Sequence, residues 1–430
     1  MKQVKNRWLI AASAVGIHLS IGSVYAWSVY TNPLMEKMGW EIKPVQFTFS
    51  LAIFFLGMSA AFLGRWAEKI GPQKSGLLAA LCFGLGIAGS GLAVYAHSLP
   101  LLYLSYGVVG GIGLGLGYIT PVSSLVKWFP DKRGLATGMA IMGFGFAALV
   151  SSPIIVSLIA SVGISTTFFI MGGSYFIIIF ASSRYIAPPP AGWAPAGMDT
   201  TAVAKKPVRE DLAQCTAKEA IRTKRFWYLW TMFFINISCG IAIISAASPL
   251  AQESAGMSAV AAAAMVGFMG IFNGGGRIGW STASDFLGRS NTFLVFLSLE
   301  ILAFVLVPSA TNAIAFQILI FLIISCYGGG FSTVTAFIGD LFGTKELGAI
   351  VGYILTAWAA AGMAGPLFAA ATRKSGLAVT MYSFAGLLVV ALIIAFLLKA
   401  EIKKIRAQKE RELALKKAWS EEIPALMEEH

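Results

Sequence analysis

The sequence predicts an all-α membrane protein: twelve transmembrane helices arranged as two pseudo-symmetric six-helix bundles. Three observations carry that expectation. Of 430 residues, 57% are hydrophobic and only 12% charged, with a mean hydropathy of +0.76. A water-soluble domain of this size needs far more polar surface. Apolar stretches of about 20 residues, the length that crosses a bilayer as helix, recur along the whole chain. The two halves of the chain also repeat one another across a polar linker.

Six apolar stretches precede the linker, at 8–31, 44–63, 76–96, 99–124, 135–162 and 165–183. Six follow it, at 226–250, 259–281, 291–310, 314–338, 348–370 and 377–399. The first is too long for a signal peptide and lacks a small-residue cleavage site, so it is expected to stay in the mature protein. Transmembrane strands would show short segments of alternating polarity, and the sequence has none. Between the two sets, "PPPAGWAPAGMDTTAVAKKPVRED" is rich in Pro, Ala and charge and reads as a cytoplasmic linker. The expected organisation is an N-terminal bundle at 1–186, the linker at 187–225, a C-terminal bundle at 226–399 and a cytoplasmic tail at 400–430. That tail is basic, then acidic, and reads as a cytoplasmic or interfacial helix.

The net charge is +12, but the positions of the cations argue against nucleic acid. With the amino terminus counted as cytoplasmic, 27 of the 32 Lys and Arg fall in the tails and even-numbered loops. Four fall outside, at Lys37, Lys43, Arg373 and Lys374, and the last is Arg277, inside a span. This is the positive-inside pattern, with both termini cytoplasmic and the cell (inner) membrane as the expected location. Cys82, Cys215, Cys239 and Cys326 are scattered, without metal-ligand or disulfide spacing. Neither a metal nor another cofactor is expected.

The halves align at two offsets. Glu68 in "GRWAEKIG" matches Asp285 in "STASDFLG", and Gly71 matches Gly288, both 217 residues apart. "FPDK" at 129–132 and "FGTK" at 342–345 stand 213 residues apart. A duplicated six-helix unit is the plan of transporters that bind at the midplane and rock about the site. Glu68 and Gly71, with Asp285, Gly288 and Arg289, resemble the acidic–x–x–glycine loop signature of the major facilitator superfamily. An acid in such a loop can pair with loop bases or a helix amino terminus in one conformational state. The first copy departs after its glycine, and the second has Ser281 where the family usually has glycine.

A closer resemblance covers nearly the whole chain. "SIGSVYAWSVYTNP", "KWFPDKRGLATGMA", "EAIRTKRFWYLW" and "FNGGGRIGW" are similar to the oxalate/formate antiporter family, bacterial relatives of the monocarboxylate transporters. The resemblance implies a carrier for small carboxylates.

Arg277 is the residue that most needs a purpose, because an arginine within a span costs about 2.5–3.5 kcal/mol on insertion scales. Near the cytoplasmic end of its span it can snorkel to the interface, or it can face protein and serve a site. The preceding Gly274–Gly276, which lets backbones approach closely, favours the site. In the resembled families an eighth-span arginine binds the substrate carboxylate, and Arg277 matches it through "FNGGGR". Its planar fork fits a carboxylate with two parallel hydrogen bonds. Asn273 lies one turn earlier on the same face. The animal transporters have a proton-coupling aspartate there, whereas an amide can bond substrate but cannot titrate. The resemblance puts Trp358 where the oxalate carriers have a lysine, and Val29 where the animal transporters have one. The membrane core then keeps one fixed cation, which suits one monoanion; oxalate would strand a negative charge in low dielectric.

Aromatic residues supply the expected pocket. Tyr25 and Tyr118 match aromatic substrate-site positions of the oxalate carriers, Tyr327 and Phe331 share one helix face, and Trp358 closes the cavity. Such a cage buries a small apolar tail and offers hydroxyl donors. Glu300, midway along the ninth span, is either a proton carrier or an interhelically bonded structural acid, since burial disfavours a charged carboxylate. His18 is a second, lesser proton candidate. No nucleophile–base–acid set or metal-ligand spacing supports an enzyme. The expected function is a secondary transporter of lactate- or pyruvate-like monocarboxylates with a proton, a monomer in the lipid bilayer. Electroneutral carboxylate exchange is the alternative, ahead of an anion channel or a transport-dead sensor.

Overall fold

Glycines punctuate the apolar runs and set the fold. A computed structural model describes residues 5–129, 133–190, 193, 212–310, 312–343 and 346–428. The side chains of 65, 68, 122–123, 126–127, 133–141, 413 and 416–428 lie outside that description. So do the Glu68 carboxylate, most of the linker and most of the "WFPDKRGLA" motif.

The described residues form helices and no strand. The first span is bent: α1 (Arg7–Ile21) passes through a 3₁₀ turn at Gly22–Ala26 into α2 (Ser28–Met38). The bend falls at a tertiary contact: Gly22 lies directly on the backbone of Phe144, and a side chain there would collide with it. Next come α3 (Ile42–Ile70) and α4 (Pro72–Tyr95), then α5 (Leu99–Leu102) running through a π-helical stretch at Tyr103–Gly110 into α6 (Gly111–Trp128). The helical run α7 (Arg133–Tyr185) is 53 residues long, ~80 Å at 1.5 Å per residue, more than twice the hydrocarbon thickness of a bilayer. Gly163, at φ 77° and ψ 164°, breaks it into the fifth and sixth spans.

Beyond the linker, the short α8 (Ala217–Ala220) leads to α9 (Lys224–Ala255), α10 (Ala259–Leu287) and α11 (Arg289–Leu306). The chain closes with α12 (Ala313–Phe342), α13 (Leu347–Thr372) and α14 (Leu377–Glu428), whose last turns extend the twelfth span into the tail. Eleven runs among the described residues are long and apolar enough to cross a membrane. One of them contains the Gly163 break, so the spans number twelve, as expected.

The repeat seen in the sequence recurs in the backbone. Gly71 (φ 86°) and Gly288 (φ 82°) are the single residues joining α3 to α4 and α10 to α11, at the 217-residue offset. A left-handed φ of this kind penalises any residue with a Cβ, so the motif glycine is a steric requirement of the one-residue corner. Gly39 and Gly256 form a second left-handed pair at the same offset, and Gly163 and Gly376 a third at the 213-residue offset.

Polar contacts sort the helix ends by membrane face. Lys5 Nζ donates to the Tyr185 carbonyl at 2.7 Å, and the Trp128 indole donates to the Ala187 carbonyl at 2.6 Å. Leu212 N–H donates to the Asp340 carbonyl at 2.9 Å. These contacts gather the chain's amino end, the ends of the fourth, sixth and tenth spans and the described end of the linker on one face. The ion pair between Arg373 and Glu253 joins the turn after α13 to the end of α9 on the other face.

The halves meet along seams of small residues. A Cβ added to Gly57 of α3 would stand 2.7 Å from Ala359 of α13, and one added to Gly145 of α7 would stand 2.8 Å from Gly274 of α10. Such close approach is how membrane helices gain packing without a hydrophobic drive.

Candidate functional site

Arg277 lies between the halves, with its side chain turned into protein. It is 3% exposed, so it does not snorkel to the interface. Two of the three preceding glycines make this position possible. Gly274 receives Gly145 of α7, and Gly276 lies against the Ser325 backbone of α12. Gly275 faces open space and is not part of that argument.

The guanidinium is held on one side and free on the other. Nε donates to Asn273 Oδ1 at 3.1 Å, the i,i+4 contact along α10. The carbon centre of the guanidinium stands 4.8 Å from the centroid of the Phe331 ring, a cation–π geometry. Nη1 and Nη2 are buried and make no hydrogen bond of good geometry; the Tyr25 hydroxyl is close enough for a weak one, and Arg277 also acts electrostatically on the Tyr327 hydroxyl. Those two hydroxyls share a hydrogen bond of 2.7 Å, which links the 3₁₀ turn of the first span to α12 across the halves.

The remaining aromatics close a cage around this point. Tyr118 of α6 meets Trp358 of α13 with ring centroids 5.6 Å apart. Phe331 meets Trp358 at 4.7 Å and Tyr327 at 5.2 Å. The buried Trp358 indole nitrogen also has no hydrogen-bond acceptor. A void of about 10 Å³, lined by Tyr25, Gly145, Met269 and Asn273 among others, adjoins the cage; that is room for about one water.

All seven residues expected at a binding site are therefore brought together: Tyr25, Tyr118, Asn273, Arg277, Tyr327, Phe331 and Trp358. One cage residue was not anticipated. Phe144 of α7 packs on Tyr25 at 4.9 Å, Tyr118 at 5.7 Å and Trp358 at 6.2 Å. A single phenylalanine in an apolar run carries no signal that separates it from ordinary packing.

The two proton candidates part company here. His18 of α1 joins the cage, stacked on Tyr118 at 5.4 Å, with Nε2 3.1 Å from the Tyr118 carbonyl oxygen. Glu300 of α11 lies elsewhere, accepting from Asn236 Nδ2 of α9 at 2.8 Å. Glu300 Oε1 and Asn236 Oδ1 are buried without partners, and Gly330 of α12 makes the room that Asn236 occupies.

At the loop motif, Arg289 pairs with Asp285 at 2.6 Å and reaches Asp340 at 3.6 Å. It thereby ties the α10–α11 corner to the end of α12. Among the described residues Arg225 is the other buried cation, but it sits at the start of α9 against Cys215 and the Phe342 ring. Val29 is buried in α2.

Two six-helix halves closing on a buried, partly unpartnered polar cluster are the build of a membrane carrier. A family model for the Major Facilitator Superfamily matches residues 12–366 and 278–426. The chain belongs to that superfamily and is a transporter of that type. It is 29% identical to an oxalate:formate antiporter of Oxalobacter formigenes, over 84% of this chain and 83% of the relative. It is 24% identical to apicoplast pyruvate carrier 1 of Toxoplasma gondii, over 81% of each. Among solved structures, a bacterial homologue of the human lysosomal transporter Spinster, inward-facing and unoccupied, superposes with a TM-score of 0.67. It covers 93% of this chain and 98% of that one at 16% identity.

Proposed function

We propose that the chain carries small monocarboxylates of lactate or pyruvate size, one proton with each anion, by alternating access in the cell (inner) membrane. The observation that carries this reading is the pair of Arg277 terminal nitrogens, buried in an aromatic cage with no charged acceptor and only the Tyr25 hydroxyl nearby. Two parallel N–H groups on a fixed plane fit a carboxylate, which also supplies the missing counter-charge. Asn273 holds Nε and so aims the free side of the fork. The Trp358 indole N–H and the Tyr25–Tyr327 hydroxyls are further polar groups for an oxygen next to the carboxylate. Phe144, Phe331 and Trp358 suit a short apolar tail.

One guanidinium balances one monoanion. Among the described residues no second fixed cation stands in the cage to offset oxalate, although oxalate is in the name of one relative. The glycine seams of α3 with α13 and α7 with α10 are the surfaces on which the halves would rock. His18, which abuts the cage, is the proton candidate that the geometry favours over Glu300.

A second reading, electroneutral exchange of carboxylates, is favoured by a specific observation. The embedded acid Glu300 bonds Asn236 and not Arg277, so Glu300 is not placed to relay a proton directly to the site. The experiment that separates the readings is lactate uptake into empty proteoliposomes under an inward proton gradient. Accumulation collapsed by a protonophore supports symport. Uptake that appears only with internal carboxylate establishes exchange, and unsaturable flux would refute both.

A further inference from the structure

A second built site lies on the face that carries the chain ends and shares no residue with the cage. A cavity of about 840 Å³ opens between the start of α11, the end of α12 and the extension of α14. Its cations are Arg289, Lys399, Lys403 and Arg406, set against two carboxylates, Asp340 and Glu410. Asp340 already faces Arg289. Lys399, Lys403 and Arg406 recur at i, i+4 and i+7, so a single face of α14 presents all three to the cavity.

Apart from Ser290 and Asn291 at the start of α11, the rest of the lining is apolar, with Leu287, Phe337, Leu341, Phe396 and Ile402 its large side chains. Phe396 is 55% exposed, one turn before Lys399 on the membrane side of the cluster. A free anion would use the cations and leave this surface bare. An amphipathic anion uses both.

We propose that this cavity binds the headgroup of an anionic phospholipid, from the leaflet that faces the chain termini. The phosphate lies against Lys399, Lys403 and Arg406, and an acyl chain runs along Leu287 and Phe396. Basic pockets between transmembrane helices take anionic headgroups for this reason: charge and hydrocarbon are matched at the same depth. The site would also explain why α14 continues as helix beyond its span, since the extension carries Lys403 and Arg406.

The test uses full-length protein purified in neutral detergent and melted with added phosphatidylglycerol, phosphatidylcholine of the same acyl chains, or inorganic phosphate. Phosphatidylglycerol should stabilise at a concentration about tenfold below that of phosphatidylcholine, and inorganic phosphate should not stabilise. The combined variant K399Q/K403Q/R406Q should lose the preference, while K404Q/K409Q/R411Q, of equal charge change but off the cavity, should keep it. Rising NaCl should erase the preference of the unmodified protein, a reading that does not depend on any variant folding. Equal stabilisation by the two lipids, stabilisation by phosphate alone, a preference insensitive to salt, or equal loss in both triple variants would each overturn the proposal.

Discussion

Replacing Arg277 by lysine is the sharpest test of the proposed substrate site, because it keeps the charge and removes the shape. Arg277 uses its guanidinium three ways: Nε bonds Asn273, the group lies over Phe331, and Nη1 and Nη2, with no charged acceptor, are open to a carboxylate. A lysine ammonium is one point donor group and cannot do all three. If it reaches the carboxylate, it replaces one of two parallel bonds and abandons Asn273 Oδ1. One lost charge-assisted hydrogen bond is worth about 1.5–3 kcal/mol, so the KM for lactate should rise about 10- to 150-fold. Initial rates of labelled lactate uptake in proteoliposomes, normalised to reconstituted protein, give that number. The melting temperature supplies the control. A buried cation with two unpaired nitrogens costs stability, so Arg277→Gln should melt no lower than the parent while losing transport. A lysine variant with the parent's KM, or a glutamine variant that melts well below the parent, would refute the assignment of Arg277 to substrate.

Three further outcomes are expected. Oxalate should compete with labelled lactate at least about tenfold more weakly than pyruvate does, because its second charge finds no fixed cation in the cage; Trp358→Lys should narrow that gap in the same competition assay. Glu300→Gln should leave gradient-driven accumulation intact, while His18→Gln should abolish accumulation and spare counterflow; the reverse pattern would restore Glu300 as the proton site. Gly145→Leu should insert and fold yet lose transport, since its side chain would occupy the place of Gly274 where α7 closes on α10, and counterflow measures that loss directly.

Much of the fold was legible because its causes are local. Bilayer thickness sets the length of an apolar run, and Gly71 and Gly288 mark corners that only glycine makes cheaply. The bend of the first span was not legible, because it depends on Gly22 meeting Phe144, more than a hundred residues away. The site divides in the same way. Arg277 announces itself by its cost in a span, and Asn273 by its place one turn earlier. The aromatics are different. Tyr25 and Tyr118 stand out only through the resemblance, whereas Phe144 differs in sequence from no other packing residue and gains its place only from the assembled helices. Glu300 was conspicuous as an embedded acid, but its partner Asn236 sits on another helix, and only the assembled bundle separates the pair from the cage.

On the proposed reading, Arg277 also governs the return of the empty carrier. Loaded, the guanidinium is paired with the carboxylate, whichever group holds the proton. Empty, a cation must pass through the closed arrangement alone, and a buried unpaired charge costs several kcal/mol. An anion bound on the opposite side removes that cost, so exchange runs faster than net uptake unless the protein itself softens the charge. The cage contains the means. Phe331 offers its ring face, worth about 0.5–2 kcal/mol to a cation, Asn273 accepts from Nε, and the Tyr25 and Tyr327 hydroxyl oxygens lie in the field of the guanidinium. None of these groups carries charge, so together they offset the cost only in part. Phe331 and Asn273 are therefore partners of the empty carrier as much as of the loaded one. Their combined strength sets how far the chain can work as a net transporter and how far it is held to one-for-one exchange.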